Sequence, residues 1–410
     1  MKTFKFIDLC AGIGGFHLAL KEYWGECVLA AEIDKFAIEV YKENYNINSE
    51  NNITKIAKRD IPAYDVLCAG FPCQTFSKAG SQLGFEDIRG TIFFDIIRIL
   101  IETQPKYVLL ENVRNLASHD KGNTWNVIRK KLIEIGYLVP EKPFILSPIN
   151  FGVPQSRERV FIPCIRKDAT KLKKINLIVP PKQKTSVFDI LEKEVGEKYK
   201  ISLYEREVLE IWEEFIMGIE SQNLGFPIWY DSFRLKKKEI VDLPKWKQDI
   251  INKNIKLYSD NKKFINKWEK QHKKLQNLKP TDRKFEWQMG NNYKSIYEGI
   301  IQFRPSGVRV KKPDFFPALV AIVHTPIVGK YLRKLTPKEC SRLQSFPEEF
   351  KIISQDNQAY KQFGNSLNVK VAKYVFENTI LKEINKNQES SKWEKLIKQN
   401  KSNPKQGNET

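Results

Sequence analysis

Apolar runs of strand length alternate with amphipathic stretches over the first 165 residues of the chain. The apolar runs read FKFIDLCAG, CVLAAEID, YDVLCAGFPC and KYVLLENV, and helical stretches such as FHLALKEYWG and KFAIEVYKENY lie between them. Repeated strand-then-helix units predict right-handed crossovers and a parallel sheet with helices on both faces. The sequence therefore predicts an α/β domain whose ligand lies at the carboxyl ends of the strands.

The pattern changes from about Pro180, where the chain becomes more charged and richer in Trp and Tyr. Strand-like sequence returns near IIQFRPSGVRVKKPDFFPALVA, a helix is predicted from the Thr-Pro of LTPKECSRLQSFPEEF, and NVKVAKYVFENTILKEI is the last apolar helix. Between them, KWKQDIINKNIKLYSDNKKFINKWEKQHKKL predicts a helix with an apolar side formed by Trp246, Ile250, Ile251, Ile255, Leu257, Phe264, Ile265 and Trp268.

The chain carries a formal net charge of +20 over its 410 residues. A charge of this size favours a polyanionic partner, either a nucleic acid or an anionic membrane surface, although a composition rich in Lys, Asn and Ile also fits an AT-rich genome. Between Arg234 and Lys284 there are 17 Lys or Arg against 6 Asp or Glu. This basic stretch is either a solvated charged face or a surface for DNA phosphates.

Six cysteines, at positions 10, 27, 68, 73, 164 and 340, are scattered without a Cys-x-x-Cys pair or a nearby His cluster. This spacing argues against a disulfide framework and against a zinc site. No basic-then-apolar leader and no run of 18 apolar residues occurs, so we expect a soluble, reduced, cytoplasmic protein. For Cys73, in the turn GFPCQ that follows an apolar strand, the remaining roles are packing and nucleophilic attack.

A glycine-rich loop follows the first predicted strand, in FIDLCAGIGGFHLAL. Gly12, Gly14 and Gly15 leave room for backbone N–H groups to approach a ligand, but the third glycine of the dinucleotide fingerprint is replaced by His17. Glu32 follows the second strand about 20 residues later, where an acidic side chain accepts hydrogen bonds from both hydroxyls of a ribose. The loop fits an adenosine cofactor, either NAD or S-adenosylmethionine, and a tight turn with a surface glutamate is the alternative.

Five segments follow this loop in a fixed order: GFPCQTFSKAG, GFEDIRGTIFF, LENV, FGVPQSRERVFI and KQFGNSLN. Together they resemble the DNA (cytosine-5) methyltransferases, the family that includes bacterial restriction-modification methylases. The resemblance covers roughly residues 4 to 166 and 331 to 380. It implies a Rossmann-like, S-adenosylmethionine-dependent methyltransferase sheet in residues 1–170 and 331–385 and a smaller target-recognition domain in residues 171–330 that faces the catalytic cleft. The composition of residues 386–410 predicts a polar tail.

The resemblance assigns the chemistry to residues of these segments. Carbon 5 of cytosine is a poor nucleophile, so a thiolate first adds to carbon 6, and Cys73 is the expected thiolate. Its activation needs a positive local field or a helix N-terminus. Arg157 and Arg159 could supply that field while they hold the carbonyl edge of the base. The alternation of the two arginines predicts a strand with both side chains on one face. Glu111 would hydrogen-bond the ring nitrogen and the exocyclic amine of cytosine.

Other residues are expected to support this shell or to bind the cofactor. Asn112 and Gln155 would support the reacting groups, and Pro72 would fix the backbone before the sulfur. By resemblance, the residues that contact S-adenosylmethionine are Asp8, Gly12, Gly14, Glu32, Ile33, Asn52, Ile53, Pro72, Asn365 and Ser366. Glu32 would bind the ribose, and Ile33 would lie under the adenine.

Two positions near the expected adenine depart from the family pattern. Many members have Phe at the position of Cys10, where it packs on the adenine, and Asp at the position of Asn52, where it accepts from the adenine amino group. Asn52 can still accept through its carbonyl oxygen. Cys10 gives weaker packing, so the identity of the cofactor is better defined than its affinity.

A base inside a duplex is out of reach of a thiol in a pocket, so the resemblance implies that the target cytosine rotates out of the helix. Residues 74–92 are expected to form a loop that closes over it. In the recognition domain, the segment FRPSGVRVKKP is a candidate for reading base edges or contacting phosphates, and a basic surface hairpin is the alternative. The residues expected to contact DNA are Gln74, Ser77, Arg89, Arg304, Arg309 and Lys311.

The predicted function is that of a DNA (cytosine-5-)-methyltransferase that protects host DNA in a restriction-modification system. The expected partners are double-stranded DNA and a cognate restriction endonuclease without a stable complex, and a cytoplasmic, nucleoid-associated monomer without metal is expected. A transfer-RNA cytosine-5 methyltransferase is the main alternative, but its typical Cys-Phe-Thr segment is absent. A silent DNA-binding protein would not need Cys73, Glu111 and the two arginines, and a nicotinamide oxidoreductase leaves the cysteine turn unexplained.

Overall fold

The computed structural model describes residues 3–72, 92–219, 224–319 and 325–389. The chain divides into two compact units: unit 1 comprises Met1–Gln183 and Ser341–Thr410, and unit 2 comprises Lys184–Cys340. Unit 2 is therefore inserted between two parts of unit 1. Most of the predicted polar tail lies outside the described residues, and so does the predicted closing loop apart from Ile92. The assignment of the inserted part to target recognition stays a prediction.

The helices and strands follow one another in both units. In chain order, the strands are β1 (Phe4–Leu9), β2 (Gly25–Ala31), β3 (Val66–Gly70), β4 (Tyr107–Val113), β5 (Tyr137–Leu138), β6 (Phe144–Leu146), β7 (Gln155–Ser156), β8 (Arg159–Arg166), β9 (Ile228–Trp229), β10 (Lys284–Gln288), β11 (Ile300–Arg304), β12 (Gly307–Lys311), β13 (Phe316–Pro317), β14 (Ile327–Val328) and β15 (Arg333–Lys334). The α-helices are α1 (Gly15–Lys21), α2 (Lys35–Tyr45), α3 (Ile92–Thr103), α4 (Asn123–Glu134), α5 (Leu203–Gly218), α6 (Lys237–Ile240), α7 (Lys245–Asp260), α8 (Lys262–Gln271), α9 (Pro337–Leu343), α10 (Asp356–Asn365) and α11 (Val369–Phe376).

The sheet of unit 1 has, among the described residues, seven strands in the order β2–β1–β3–β4–β8–β5, and β6 also pairs with β8. Strands β2, β1, β3 and β4 are mutually parallel, whereas β8 runs antiparallel to β4, β5 and β6. Leu9 pairs with Ala69, and Gly70 pairs with Glu111, so the carboxyl ends of β1, β3 and β4 meet at one edge. The predicted α/β class is confirmed, with a parallel core and antiparallel additions.

Capping residues fix where two helices of unit 1 begin. The Asp34 carboxylate accepts the N–H of Ala37 at 3.1 Å at the start of α2. The Asn368 side chain likewise accepts the N–H of Val371 at 3.0 Å at the start of α11. Both caps satisfy N–H groups that a helix leaves unbonded in its first turn. They also anchor the chain just before each helix, where two predicted cofactor segments lie.

Unit 2 is built on a second sheet. Among the described residues it has six strands in the order β15–β14–β11–β12–β10–β9, and only β10 and β12 are parallel neighbours. Val308 and Val310 are buried against a core that includes Trp212, Phe285 and Trp268. Because side chains alternate along a strand, the residues between and after these valines belong to the opposite face of β12.

The predicted basic helix of residues 245–275 is two helices, α7 and α8. The break lies at Asn261, which has a non-helical φ of −116° and whose side chain donates back to the carbonyl of Leu257 at 3.0 Å. Ile251, Leu257, Ile265 and Trp268 are buried as predicted, but Trp246 is 62% exposed. The prediction for Trp246 was wrong because it lies in the first turn of α7, before the packed part of the helix. No helix in the described ranges is both long and apolar enough to cross a bilayer.

Candidate active site

A cavity of about 710 Å³ lies at the carboxyl edge of the unit 1 sheet. Its wall includes Arg157 and Arg159 and residues 10–13, 31–34, 51–53, 70–72, 111–113 and 364–367. Four of these segments directly follow or end β1, β2, β3 and β4. The volume falls in the range of about 300 to 1,000 Å³ that is usual for small-molecule sites. The cavity is therefore where the strand pattern predicted a ligand.

The glycine loop after β1 is held by Glu32. Gly12 has a φ of 54° and Gly14 has a φ of 83°, in the left-handed region that glycine adopts without strain. The N–H of Gly12 donates to Oε2 of Glu32 at 2.8 Å, and Oε1 accepts from Ile33 at 2.7 Å and from Asp34 at 2.9 Å. A carboxylate has about four acceptor positions. The Glu32 carboxylate thus keeps acceptor capacity for a ribose hydroxyl while it shapes the loop.

The two departures predicted near the adenine have different outcomes. Oδ1 of Asn52 accepts from the N–H of Thr54 at 3.0 Å and from its hydroxyl at 2.8 Å, so both lone pairs are engaged in a local turn. The acceptor expected for the adenine amino group is already in use. Cys10 lines the cavity, and burial, with the charges of Glu32 and Asp8, raises the pKa of its thiol to about 12. Cys10 is therefore a neutral, small, apolar wall residue.

Glu111 and Arg159 meet across β4 and β8. Val113 pairs with Arg159, and Glu111 is two residues before Val113 on the same face of β4. Nε of Arg159 lies 3.3 Å from Oε1 of Glu111. Glu111 is 9% exposed, and burial raises the pKa of its carboxyl, while Arg159 and then Arg157 oppose the rise. Glu111 consequently keeps its proton to a higher pH than an exposed glutamate.

Arg157 has a different role from Arg159 in the cavity wall. It lies between β7 and β8, outside the single strand that the alternation predicted for both arginines. Its Nη2 donates to the carbonyls of Gly364 at 2.7 Å and Ser366 at 2.8 Å. Burial and the neighbouring Arg159 lower the pKa of Arg157 to about 9, and it stays charged at neutral pH. Arg157 thus ties the QSRERV segment to the FGNS segment, which lies far along the chain.

The turn after β3 is braced by Asn112. Nδ2 of Asn112 donates to the carbonyl of Phe71 at 2.8 Å, and Oδ1 accepts the N–H of Val113 at 2.8 Å. Both Phe71 and Asn112 are buried, and Pro72 lines the cavity. The predicted nucleophile and the predicted loop contacts lie outside the described residues: Cys73, Gln74, Ser77 and Arg89. The described site ends one residue before Cys73. Gln155 is fully buried, and its side-chain amide has no hydrogen-bond partner among the described residues.

Most of the predicted cofactor residues line the cavity: Gly12, Glu32, Ile33, Asn52, Ile53, Pro72, Asn365 and Ser366. The sequence reasoning missed Lys361 and Gln362, which line the cavity from α10. Gln362 is 7% exposed, and its Nε2 has no hydrogen-bond partner in the described part of the chain. A buried, unpaired donor is costly unless a ligand satisfies it. The sequence did offer one indication of their role: Lys361 and Gln362 lie in YKQFGNS, about one helical turn before Ser366.

Asp8 and Gly14, also predicted to bind the cofactor, are absent from the cavity wall that the described residues form. Asp8 is 1% exposed, and burial, followed by the charge of Glu32, raises the pKa of its carboxyl well above the ordinary value. A Cβ at Gly14 would lie 2.3 Å from Cε2 of Tyr45, so a side chain is excluded there by protein and not by ligand. Asp8 lies within β1, and Gly14 belongs to the loop but packs against the Tyr45 ring.

The predicted DNA-reading residues of unit 2 share one polar face of its sheet. Arg304 and Arg309 both donate to Oε2 of Glu286, the former at 2.6 Å. Lys311 follows on the same face of β12, and burial and the two arginines lower the pKa of its amine. Oε1 of Gln302 and Nε of Arg304 are buried without a partner among the described residues. This face therefore has hydrogen-bonding capacity that the described protein atoms leave unfilled.

Comparison with solved structures agrees with this architecture. The chain is similar to the EhMeth methyltransferase of Entamoeba histolytica, with a TM-score of 0.54 and 17% identity over 92% of this chain and 98% of that one. It is also similar to a mutant of Spodoptera frugiperda DNMT2, with a TM-score of 0.51 and 22% identity over 92% of this chain and 99% of that one. The fold is that of an S-adenosylmethionine-dependent methyltransferase.

Sequence relatives define the family. The profile of the C-5 cytosine-specific DNA methylases matches residues 4–381. The chain is 32% identical to the type II methyltransferase M.HhaI of Haemophilus parahaemolyticus, over 91% of this chain and 93% of that protein. It is 34% identical to M1.ScrFI of Lactococcus lactis subsp. cremoris, over 92% of this chain and 78% of that protein. The chain belongs to the C-5 cytosine-specific DNA methylase family, and the resemblance drawn from the five segments is confirmed.

Proposed function

We propose that this chain is a sequence-specific DNA (cytosine-5-)-methyltransferase that acts on a cytosine rotated out of the duplex through a covalent Cys73 adduct. The observation that supports this most is the pairing of buried Glu111 with partly buried Arg159 in the cavity that the turn before Cys73 also lines. A carboxyl of raised pKa can give a proton to a ring nitrogen. The adjacent guanidinium can hold the neighbouring carbonyl with charge-assisted hydrogen bonds.

The proposed reaction begins when the Cys73 thiolate attacks carbon 6 of cytosine. A carbon–sulfur bond forms, the 5,6 double bond shifts to carbons 4 and 5, and nitrogen 3 takes the proton of Glu111. Carbon 5 is then the nucleophilic end of an enamine. S-adenosylmethionine, when bound, supplies an electrophilic methyl group at this carbon. Loss of the carbon 5 proton to water and return of the nitrogen 3 proton to Glu111 then expel the thiolate and restore the aromatic ring.

The cavity wall suits the methyl donor. Glu32 retains acceptor capacity for a ribose hydroxyl, and Ile33 offers an apolar side chain that is 71% exposed at the cavity. Gln362 has an amide donor that no described residue pairs with, and it could bond to an acceptor on the ligand. Asn365 and Ser366 would complete the site from the C-terminal part of unit 1, where Arg157 holds the backbone. These groups match a ligand that combines a nucleoside with an amino acid.

Unit 2 is proposed to select the DNA sequence through its polar face. An arginine suits guanine because its paired donors match two acceptors in the major groove. Glu286 offsets one of the two positive charges of Arg304 and Arg309, and a base would take over the bonding capacity that Gln302 and Arg304 leave unfilled among the described residues. Lys311 and the basic stretch of α7 and α8 would contact phosphates, which confer affinity and salt dependence but no sequence information.

The biological setting follows from the relatives. Several of them are named type II methyltransferases, so we propose that this chain protects host DNA against a cognate restriction endonuclease without forming a stable complex with it. We further propose that it acts as a monomer on one strand at a time, in the cytoplasm near the nucleoid.

The deciding experiment sequences methylated cytosines in DNA from a host that expresses the gene. We expect 5-methylcytosine within one short recurrent sequence. The Cys73→Ala variant should leave no methylcytosine, whereas the purified variant should still bind S-adenosylhomocysteine. Methylation by the variant at the wild-type level would contradict the thiolate mechanism. Methylcytosine in transfer RNA with unmethylated DNA would favour the transfer-RNA alternative.

A further inference from the structure

A buried group of polar and aromatic side chains lies beneath the glycine loop of unit 1 and takes no part in the proposed reaction. Nδ1 of His17 lies 2.9 Å from the hydroxyl oxygen of Tyr41, and Sγ of Cys27 lies 3.6 Å from the same oxygen. Burial lowers the pKa of His17 to about 4, so its ring is neutral at physiological pH. The histidine that replaces the third glycine of the nucleotide fingerprint is therefore a support residue within the protein.

Tyr45, the last residue of α2, connects this buried group to the loop. Its ring stacks on the ring of His17, with centroids 4.0 Å apart and planes inclined by 19°. Its hydroxyl donates to the carbonyls of Ile13 at 3.0 Å and Gly14 at 3.1 Å. The Tyr45 ring is thus held by an aromatic stack, and its hydroxyl is hydrogen-bonded to two consecutive peptide groups.

The loop is shaped around the Tyr45 ring. The ring occupies the space where Gly14 would carry a side chain, since a Cβ there would lie 2.3 Å from Cε2 of Tyr45. Gly14 is not part of the cavity wall, whereas its neighbours Ile13 and Gly15 are. A peptide group is planar, so holding a carbonyl also fixes the direction of the N–H on its other side. The Tyr45 hydroxyl therefore sets the orientation of the peptide groups that join these wall residues.

We propose that Tyr45 is a positioning residue for the methyl donor: its hydroxyl pre-organises the wall formed by Ile13 and Gly15 and so sets the affinity for S-adenosylmethionine, with little effect on the rate of methyl transfer. A loop that is already in its bound conformation loses less conformational freedom when the ligand binds. The inference rests on the proposed function in one respect, since it takes S-adenosylmethionine to be the ligand of this cavity.

The test is the Tyr45→Phe variant, which keeps the ring and its stack on His17 but lacks the hydroxyl. The Kd for S-adenosylhomocysteine, measured by titration calorimetry, should rise about fivefold, the effect of one buried hydrogen bond. The KM for S-adenosylmethionine should rise by a similar factor, and kcat at saturating donor should stay within about twofold of the wild type.

Tyr137→Phe is the matched control. The hydroxyl of Tyr137 donates to the carbonyl of Pro105 at 2.7 Å, in the same unit and fully buried, and Tyr137 is not among the cavity residues. It should lower the thermal midpoint as Tyr45→Phe does but leave the Kd unchanged. An unchanged Kd in Tyr45→Phe, or equal weakening in both variants, would overturn the inference. Failure of the wild type to bind S-adenosylhomocysteine would overturn the proposed function, and this inference with it.

Discussion

The two units place their clustered charged groups in different parts of a sheet. In unit 1, Glu111 lies at the end of a parallel strand, and Arg157 and Arg159 join it from the segment that returns antiparallel. In unit 2, Arg304 and Arg309 lie along the strands and share Glu286 on one face. Strand ends bring loops together around a small molecule, whereas a strand face presents side chains in a row. The first arrangement suits a reaction, and the second suits an extended partner.

Unit 2 also contains a charged pair of another kind. Arg333 donates through both Nη atoms to Glu339, at 2.9 and 2.7 Å, and the same carboxylate accepts the N–H groups of Thr336 and Glu192. The carboxylate of Glu339 is fully satisfied and buried, whereas the Glu286 face has unfilled groups. Saturated hydrogen bonding is typical of a structural ion pair, whereas an unfilled polar group on a sheet face can still bond to a partner.

The largest predicted effect is on the rate of methyl transfer and concerns Glu111 in the cavity of unit 1. Glu111→Gln should slow methyl transfer by about 10²- to 10⁴-fold, the usual contribution of a positioned proton donor. Single-turnover measurement at saturating DNA and methyl donor would show it, and the preferred DNA sequence should not change. An unchanged single-turnover rate would contradict the role of Glu111 in protonation, and an altered sequence preference would contradict the separation of the two units' tasks.

The rate of the wild type has a predicted pH dependence that Glu111→Gln should abolish. Burial raises the pKa of Glu111, so its protonated form persists to higher pH than in an exposed glutamate. Because the protonated form is the one that donates, the single-turnover rate should fall as pH rises through this raised pKa. Glu111→Gln cannot titrate, and its slower rate should lack that alkaline decline. If the rate of the glutamine variant declines at the same pH as the rate of the wild type, the alkaline decline belongs to a group other than Glu111.

The next prediction concerns stability and tests whether Arg333 is a structural residue, unlike the arginines of unit 2 that are proposed to contact DNA bases. Arg333→Ala should lower the free energy of unfolding by about 3–5 kcal/mol, because it leaves Glu339 buried without its counter-charge. Lys334→Ala is the neighbouring control: its amine lies 2.8 Å from Oε1 of Glu205 in a partly exposed pair, and the expected loss is about 0–1 kcal/mol. Denaturant unfolding measures both, and equal losses would remove the distinction between the two kinds of pair.

A smaller effect is expected on the choice of DNA sequence, and it tests the polar face of the unit 2 sheet. Arg309→Ala should reduce discrimination at one base-pair position by about 1–3 kcal/mol and leave the single-turnover rate on the best site nearly unchanged. Methylation of a library of DNA sites would reveal the position. Lys245→Ala, an exposed lysine paired with Asp249 on α7, should weaken binding slightly and equally for all sequences. A uniform loss in Arg309→Ala as well would make that arginine a phosphate contact.

Local patterns predicted the elements of unit 1 closely. The stretch KFAIEVYKENY coincides with α2, Lys35–Tyr45, and the run FKFIDLCAG contains β1. The motifs also predicted that Glu111 and Arg159 belong to one site. The prediction succeeded because the two residues lie on neighbouring strands, β4 and β8, at the carboxyl edge of the parallel strands. What the sequence could not predict depends on contacts between distant segments, such as the bonds of Arg157 to residues 207 and 209 positions away. The support of the glycine loop by Tyr45 is of the same kind, since periodicity does not say which atoms a buried hydroxyl will meet.

The bond from Arg157 to Ser366 has a consequence for synthesis of the protein. The two residues are 209 positions apart, and the whole of unit 2 lies between them. A ribosome that adds about 5–20 residues per second needs roughly 10 to 40 seconds to pass from one to the other. During that time the nascent chain has its glycine loop but lacks the last wall of the cavity. Translation therefore completes the part proposed to choose the DNA sequence before Ser366 can complete the cavity wall.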